Sequence, residues 1–88
     1  MTTDADVTVI TDGLEFPEGP VWMDDGSVLV AELMGKRVTR VAPDGTRTVL
    51  ATGLSFATSL RMGPDGALYV SNFGFGPPGM GQIVRITF

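Results

Sequence analysis

VTVITDGLEF (residues 7–16) and RTVLATGLSF (47–56) lie forty positions apart, and DDGSVLV (24–30) stands in the same relation to PDGALYV (64–70). At that offset eight of the 27 pairs from 7/47 to 33/73 are identical: Thr8/Thr48, Val9/Val49, Gly13/Gly53, Leu14/Leu54, Phe16/Phe56, Asp25/Asp65, Gly26/Gly66 and Val30/Val70. Unrelated stretches would share roughly two at ordinary residue frequencies. After position 73 the register breaks and resumes at an offset of 45. RVTRV (37–41) then faces QIVRI (82–86), and five extra residues fall within GFGPPGMGQ (74–82). The chain is read as one unit of two repeats, about 7–46 and 47–88.

Each repeat carries short runs rich in β-branched and aromatic residues, bounded by turn residues. The expected strands are 7–11, 18–23, 27–32, 37–42, 46–51, 58–63, 67–72 and 82–87. Asp25-Gly26, Asp44-Gly45 and Asp65-Gly66 are strong hairpin signals. No window sustains a 3.6-residue apolar period, so no helix is expected. SVLVAE (27–32) and ALYVSN (67–72) are nearly all apolar, as strands packed on both faces are. Pro20 lacks a ladder donor, which places 18–23 at a sheet edge. Four strands repeating every 40 to 45 residues are the period of a β-propeller blade. The fold class is therefore all-β, with two four-stranded propeller blades per chain.

A chain of 88 residues buries only about 60–65 % of the surface it would expose unfolded. The formal charge of −4 and pI near 4.4 argue against nucleic acid and anionic membrane as partners. With no cysteine and no histidine, disulfides, thiolate zinc, cysteine nucleophiles and imidazole bases are all excluded. The start, MTTDADV, lacks the basic and apolar regions of a secretory signal, and no apolar run reaches the length of a membrane span. A cytoplasmic protein is expected.

Blades bury their faces only against other blades, and closed propellers need about four to eight of them. Two blades alone would leave two apolar faces in water. The expectation is a homo-oligomeric ring: three chains for six blades, or four for eight. Strand 7–11 matches the outermost strand 46–51 but has no earlier strands to pair with, while the last repeat lacks its fourth strand. Residues 7–11 of one chain would then complete the blade ended by 82–87 of the next. The alternative is a segment of a longer propeller.

FPEGPVWMDDGSVLVAE (16–32) followed by GKRVTRVAPDGTRTVLATGL (35–54) resembles the opening blade of the senescence-marker-protein/gluconolactonase/luciferin-regenerating-enzyme family of six-bladed propellers. Residues 55–86 are similar to blades of related NHL-like and secreted propeller proteins. The resemblance implies that Glu18 ligates a divalent cation at the mouth of the central channel, where the metal polarises a lactone or ester carbonyl and holds the attacking water. The family's further Asn and Asp ligands come from corresponding positions of other blades. The second repeat offers Thr58 at that place.

The order of strands independently places Glu18, Glu32, Asn72 and the loop 74–81 on one face of such a ring, with Phe73, Phe75 and Met80 available to line it. Three Glu18 carboxylates converging with three Thr58 would repel one another or bind a cation. Oxygen donors favour calcium or magnesium, with zinc and manganese as the other candidates. The competing reading is that Glu18 accepts backbone hydrogen bonds or pairs with an arginine such as Arg61, on a strand expected to be buried. Gly74-Phe-Gly76-Pro-Pro-Gly79 has the form of a phosphate loop but opens no helix, and is rejected as one. Trp22 and its counterpart Met62 are expected in the core between blades.

Overall fold

The computed structural model describes residues 5–73 and 78–88. Its strands are β1 (Pro17–Trp22), β2 (Val28–Glu32), β3 (Arg37–Val41), β4 (Arg47–Thr52), β5 (Ala57–Met62), β6 (Leu68–Asn72) and β7 (Gln82–Ile86). They form two antiparallel sheets, β1-β2-β3-β4 and β5-β6-β7, and no helix occurs among the described residues. No helix is therefore long and apolar enough to cross a membrane. The repeat is reproduced residue for residue: β5 and β6 start and stop 40 positions after β1 and β2, and β7 45 positions after β3.

The three Asp-Gly turns close identically. Met23 N–H donates to Ser27 O and Gly26 N–H donates to Met23 O, and the same pair of bonds joins Ala42, Thr46 and Gly45, and Gly63, Ala67 and Gly66. In each turn the Asp carboxylate accepts the backbone N–H two residues on, from Ser27, Thr46 and Ala67. The glycines sit at φ of 86°, 90° and 80°, left-handed backbone that a side chain disfavours. Arg40 pairs with Asp25 at 2.6 Å and its repeat counterpart Arg85 approaches Asp65 at 3.7 Å. These aspartates are turn formers, as their sequence context requires.

The core lies between the sheets. Leu29, Ala31 and Val38 of the first sheet form one buried cluster with Leu54 of the connection after β4 and with Ala57, Leu60, Leu68 and Val70 of the second sheet. Strand alternation decides which residues take part. In β6, Leu68 and Val70 share a face with Leu60, Met62, Val84 and Ile86 by register, and that face meets the first sheet. At the inner edge β1 comes against β5 at Gly19. A Cβ there would lie 3.3 Å from Leu60 N and 3.4 Å from Thr58 O, and φ is +58°. Glycine is what lets the two backbones approach. Pro20 lies on this edge strand, beside a register shift between Glu18 and Val21.

The two residues expected in the core between blades behave differently in the single chain. Trp22 pairs with Val28 on the far side of the first sheet and is 70 % exposed, whereas its counterpart Met62 packs into the core. The reason is that the far side of the first sheet has no second sheet against it. The two outward faces also differ in character. That of the first sheet carries Trp22, Val28, Val30 and Val41 over one part and Glu32, Arg37 and Thr39 at one end; that of the second carries Ser59, Arg61, Tyr69, Ser71, Ile83 and Arg85. Only the first has an extended apolar stretch.

Residues 7–11 join no ladder in the single chain. Instead Thr8–Thr11 and Leu14 lie over the outward face of the first sheet, walling an apolar groove with Val28, Val30 and Val41. Arg47 Nη1 fixes the segment by donating to Asp12 O at 2.8 Å. The segment covers Val30 and Val41, which are buried, while its own Val9 and Ile10 stay exposed.

The accessible surface is 6030 Å², against about 5000 Å² for a compact monomer of this mass. The radius of gyration is 14.0 Å, against about 12 Å for a compact domain of this length. The chain is thus more open than its size requires. Leu68→Ala should cost about 2–5 kcal/mol in urea unfolding, while Trp22→Ala in the single chain should change stability by less than about 0.5 kcal/mol.

Candidate functional site

The cross-strand pairs Pro17↔Glu32 and Ala57↔Asn72 place the starts of β1 and β5 and the ends of β2 and β6 at corresponding ends of the two hairpins. Glu18 and Thr58 therefore stand at equivalent places, one residue into each inner edge strand, on strands that touch through Gly19. Glu18 is exposed, and its side chain makes no ion pair or hydrogen bond among the described residues. The Thr58 hydroxyl donates weakly to Ser71 O at 3.4 Å.

Arg61 is not near Glu18 in role or in place. It pairs in register with Tyr69 and is exposed on the outward face of the second sheet, because the alternation of β5 sends Leu60 and Met62 inward. The pairing of Glu18 with Arg61 considered from sequence does not occur. Phe73 and Met80 flank the loop and are exposed; Phe75 lies outside the described residues. A shallow cleft beside the loop is bounded by Asn72, Phe73, Gly81 and Gln82.

Glu32 has a different function from that of a free mouth carboxylate. It is 1 % exposed, and three residues satisfy it. Arg37 donates through Nε and Nη2, both at 2.8 Å, Thr39 Oγ1 donates to Oε2, and Glu15 N–H donates to Oε1 at 3.0 Å. These bonds follow from the ladder: Glu32 is directly opposite Arg37, and Thr39 lies opposite Val30 on the same face. The Arg37 bonds are the largest influence on the Glu32 carboxyl, and they outweigh its desolvation. Together with Thr39 and the Glu15 N–H they hold its pKa at about 2, below the usual 4.5. Arg37 also lies 3.7 Å from Glu15, an exposed pair that adds little.

The second repeat carries a neutral version of this network. Asn72 is the counterpart of Glu32 and Gln82 that of Arg37, and Asn72 Nδ2 donates to Gln82 Oε1 at 3.1 Å. The counterpart of Thr39 is Val84, which has no hydroxyl, and the amide is one methylene shorter than glutamate. Asn72 Oδ1 is accordingly buried with no partner among the described residues. Sequence reading grouped Glu32 and Asn72 with the site through their strand positions but missed Arg37, Thr39 and Gln82. The signal was there in the four-residue connection Leu33–Lys36, which sets Glu32 opposite Arg37.

Among the described residues no group of three or more acidic side chains is placed to hold a metal ion. Among the described residues Glu18 is an exposed carboxylate without a side-chain partner at this end of the sheets, with the Thr58 hydroxyl on the adjoining strand. No protein-family model matches the chain, and no curated protein matches it significantly.

Two measurements check this account. Glu32 contributes stability that is fully present above its unfolded pKa near 4.5 and is lost as pH falls toward 2. Glu32→Gln should therefore cost about 2–3 kcal/mol near neutrality, and the gap from the parent chain should close as pH drops through that window. Asn72→Glu alone should destabilise by burying a carboxylate without its cation, and adding Gln82→Arg should recover the loss. A double-mutant cycle with no coupling would show that the second repeat cannot host the pair.

Proposed function

We propose that this chain is a two-blade β-propeller unit whose function is to assemble with copies of itself, three chains making six blades, into a ring that presents one Glu18 per chain at the channel mouth. The observation that carries the reading is the relation between the sheets. The face of the first sheet that packs on the second, bearing Leu29 and Ala31, is the repeat counterpart of the second sheet's outward face, bearing Tyr69 and Ser71. Applying the same operation again seats the first sheet of the next copy on that outward face. The contact is head to tail, and such contacts close into rings when the rotation allows.

The surface exposed by the single chain supports this. In the next interface Trp22 would take the place that Met62 holds in the core, against a face where Tyr69 lies between Arg61 and Arg85. An indole laid on guanidinium and phenol groups is a favourable pairing.

Three Glu18 carboxylates brought around one axis repel unless a cation neutralises them, and an all-oxygen donor set fits calcium, magnesium or manganese better than zinc. Lactone or ester hydrolysis, which the family resemblance implies, is the alternative reading. It needs a base beside the cation. Thr58 occupies the counterpart position, while Glu32 and Asn72 are committed to structural hydrogen bonds. These facts favour a cation-holding scaffold.

Native mass spectrometry tests the assembly and the cation together. The expected species is a trimer that retains calcium, magnesium or manganese, with the metal lost and the trimer kept in Glu18→Gln. Trp22→Ala should leave folded monomers. A folded monomer of the parent chain at 9.3 kDa would refute the ring, and calcium-dependent lactone turnover abolished by Glu18→Gln would put an enzyme in the scaffold's place.

A further inference from the structure

We infer that residues 7–12 of one copy add to the open edge of β7 in a second copy as its fourth strand, in one defined register. This rests on the ring reading and specifies how its joints are made. In the first sheet β3 is flanked by β2 and β4; in the second, β7 has β6 on one side and no strand on the other among the described residues. β7 is the counterpart of β3, and the sequence counterpart of β4 is 7–12, with Thr8 and Val9 identical to Thr48 and Val49. An unpaired edge exposes backbone donors and acceptors that seek a strand.

Both elements display apolar side chains that the single chain leaves in water. Val7 is 60 %, Val9 73 % and Ile10 54 % exposed, and Ile83 is 74 % exposed. Pairing within one chain is obstructed by the fold itself. Residues 8–11 lie on the outward face of the first sheet, and β7 belongs to the sheet on its other side, so the first sheet stands between them. A second copy has no such obstacle. When the segment leaves its groove it uncovers Val28, Val30 and Val41, the surface that the preceding copy's second sheet covers in a ring.

The register follows by transfer. β3 and β4 pair as Arg37↔Thr52, Val38↔Ala51, Thr39↔Val49, Arg40↔Thr48 and Val41↔Arg47, with Leu50 in the shift. Moving β3 by 45 and β4 by −40 gives Gln82↔Asp12, Ile83↔Thr11, Val84↔Val9, Arg85↔Thr8 and Ile86↔Val7, with Ile10 in the shift. The closing bond Leu54 N–H to Lys36 O, 3.0 Å, becomes Leu14 N–H of one copy to Gly81 O of the other. Leu14 is the identical counterpart of Leu54, and a strand end anchored this way fixes the pairing against slippage.

The chain has no cysteine, so introduced pairs report without background. Arg40→Cys with Thr48→Cys in one chain is the positive control, since those residues are opposite each other in the first sheet. Thr8→Cys chains mixed with Arg85→Cys chains should give a covalent dimer of one of each on mild oxidation, as efficiently as the control closes. Thr8→Cys mixed with Ile83→Cys should cross-link at least tenfold less. A trimer in native mass spectrometry without the 8–85 disulfide, while the control forms, would overturn strand addition and leave the ring standing. A monomer that forms neither trimer nor disulfide would overturn both. A Thr8→Cys/Arg85→Cys double variant that closes within one chain, independent of concentration, would overturn addition between copies.

Discussion

The apolar seam between the two sheets is the contact on which everything else in this chain depends. A chain of 88 residues has few large side chains to bury, and here they are concentrated where Leu29, Ala31 and Val38 meet Leu60, Leu68 and Val70. Close packing there needs the inner strands to touch, which Gly19 permits by bringing backbone onto backbone with no Cβ between. The seam uses one face of each sheet. A sheet has two, so the same geometry that makes the core also creates two outward surfaces with no further sheet behind them.

How the chain treats those surfaces sets its functional possibilities. The first sheet's outward face has an extended apolar stretch, and the chain lays its own residues 8–11 over part of it, leaving Trp22 in water. The second sheet's outward face is studded with Arg61, Arg85 and two serines, so it is soluble by itself yet offers cations and a phenol to an aromatic partner. An apolar stretch held under a removable segment and a polar face of complementary chemistry are what a head-to-tail contact between copies would use.

The two hairpin ends also show how a repeat diverges without changing its fold. One end holds a buried carboxylate neutralised by Arg37 and fed by a hydroxyl and a backbone N–H; the other holds an amide pair with a carbonyl left over. Buried polar groups tolerate either solution only when the partners change together, because a carboxylate without its cation is costly at a site that an amide occupies cheaply. Glu18 stands outside both networks. Its freedom distinguishes it from Glu32, Asn72 and Thr58, whose side chains all have partners.

The amino-acid sequence determined β1 to β7, the turns and their spacing, but not the fate of 7–11. Periodicity of two and Asp-Gly pairs are local signals, and the offsets of 40 and 45 reappear in the strand boundaries without error. It also singled out Glu18, through its Pro-Glu-Gly-Pro setting, as a candidate cation ligand, while the absence of a side-chain partner was visible only in the structure. What only the tertiary structure decided is which side of each strand faces the neighbouring sheet. That choice exposed Trp22 while burying Met62, turned Arg61 outward, tied Glu32 to Arg37, and folded 7–11 over a groove instead of into a ladder. Alternation says that two faces exist; only the packing of one sheet on another says which of them is inside.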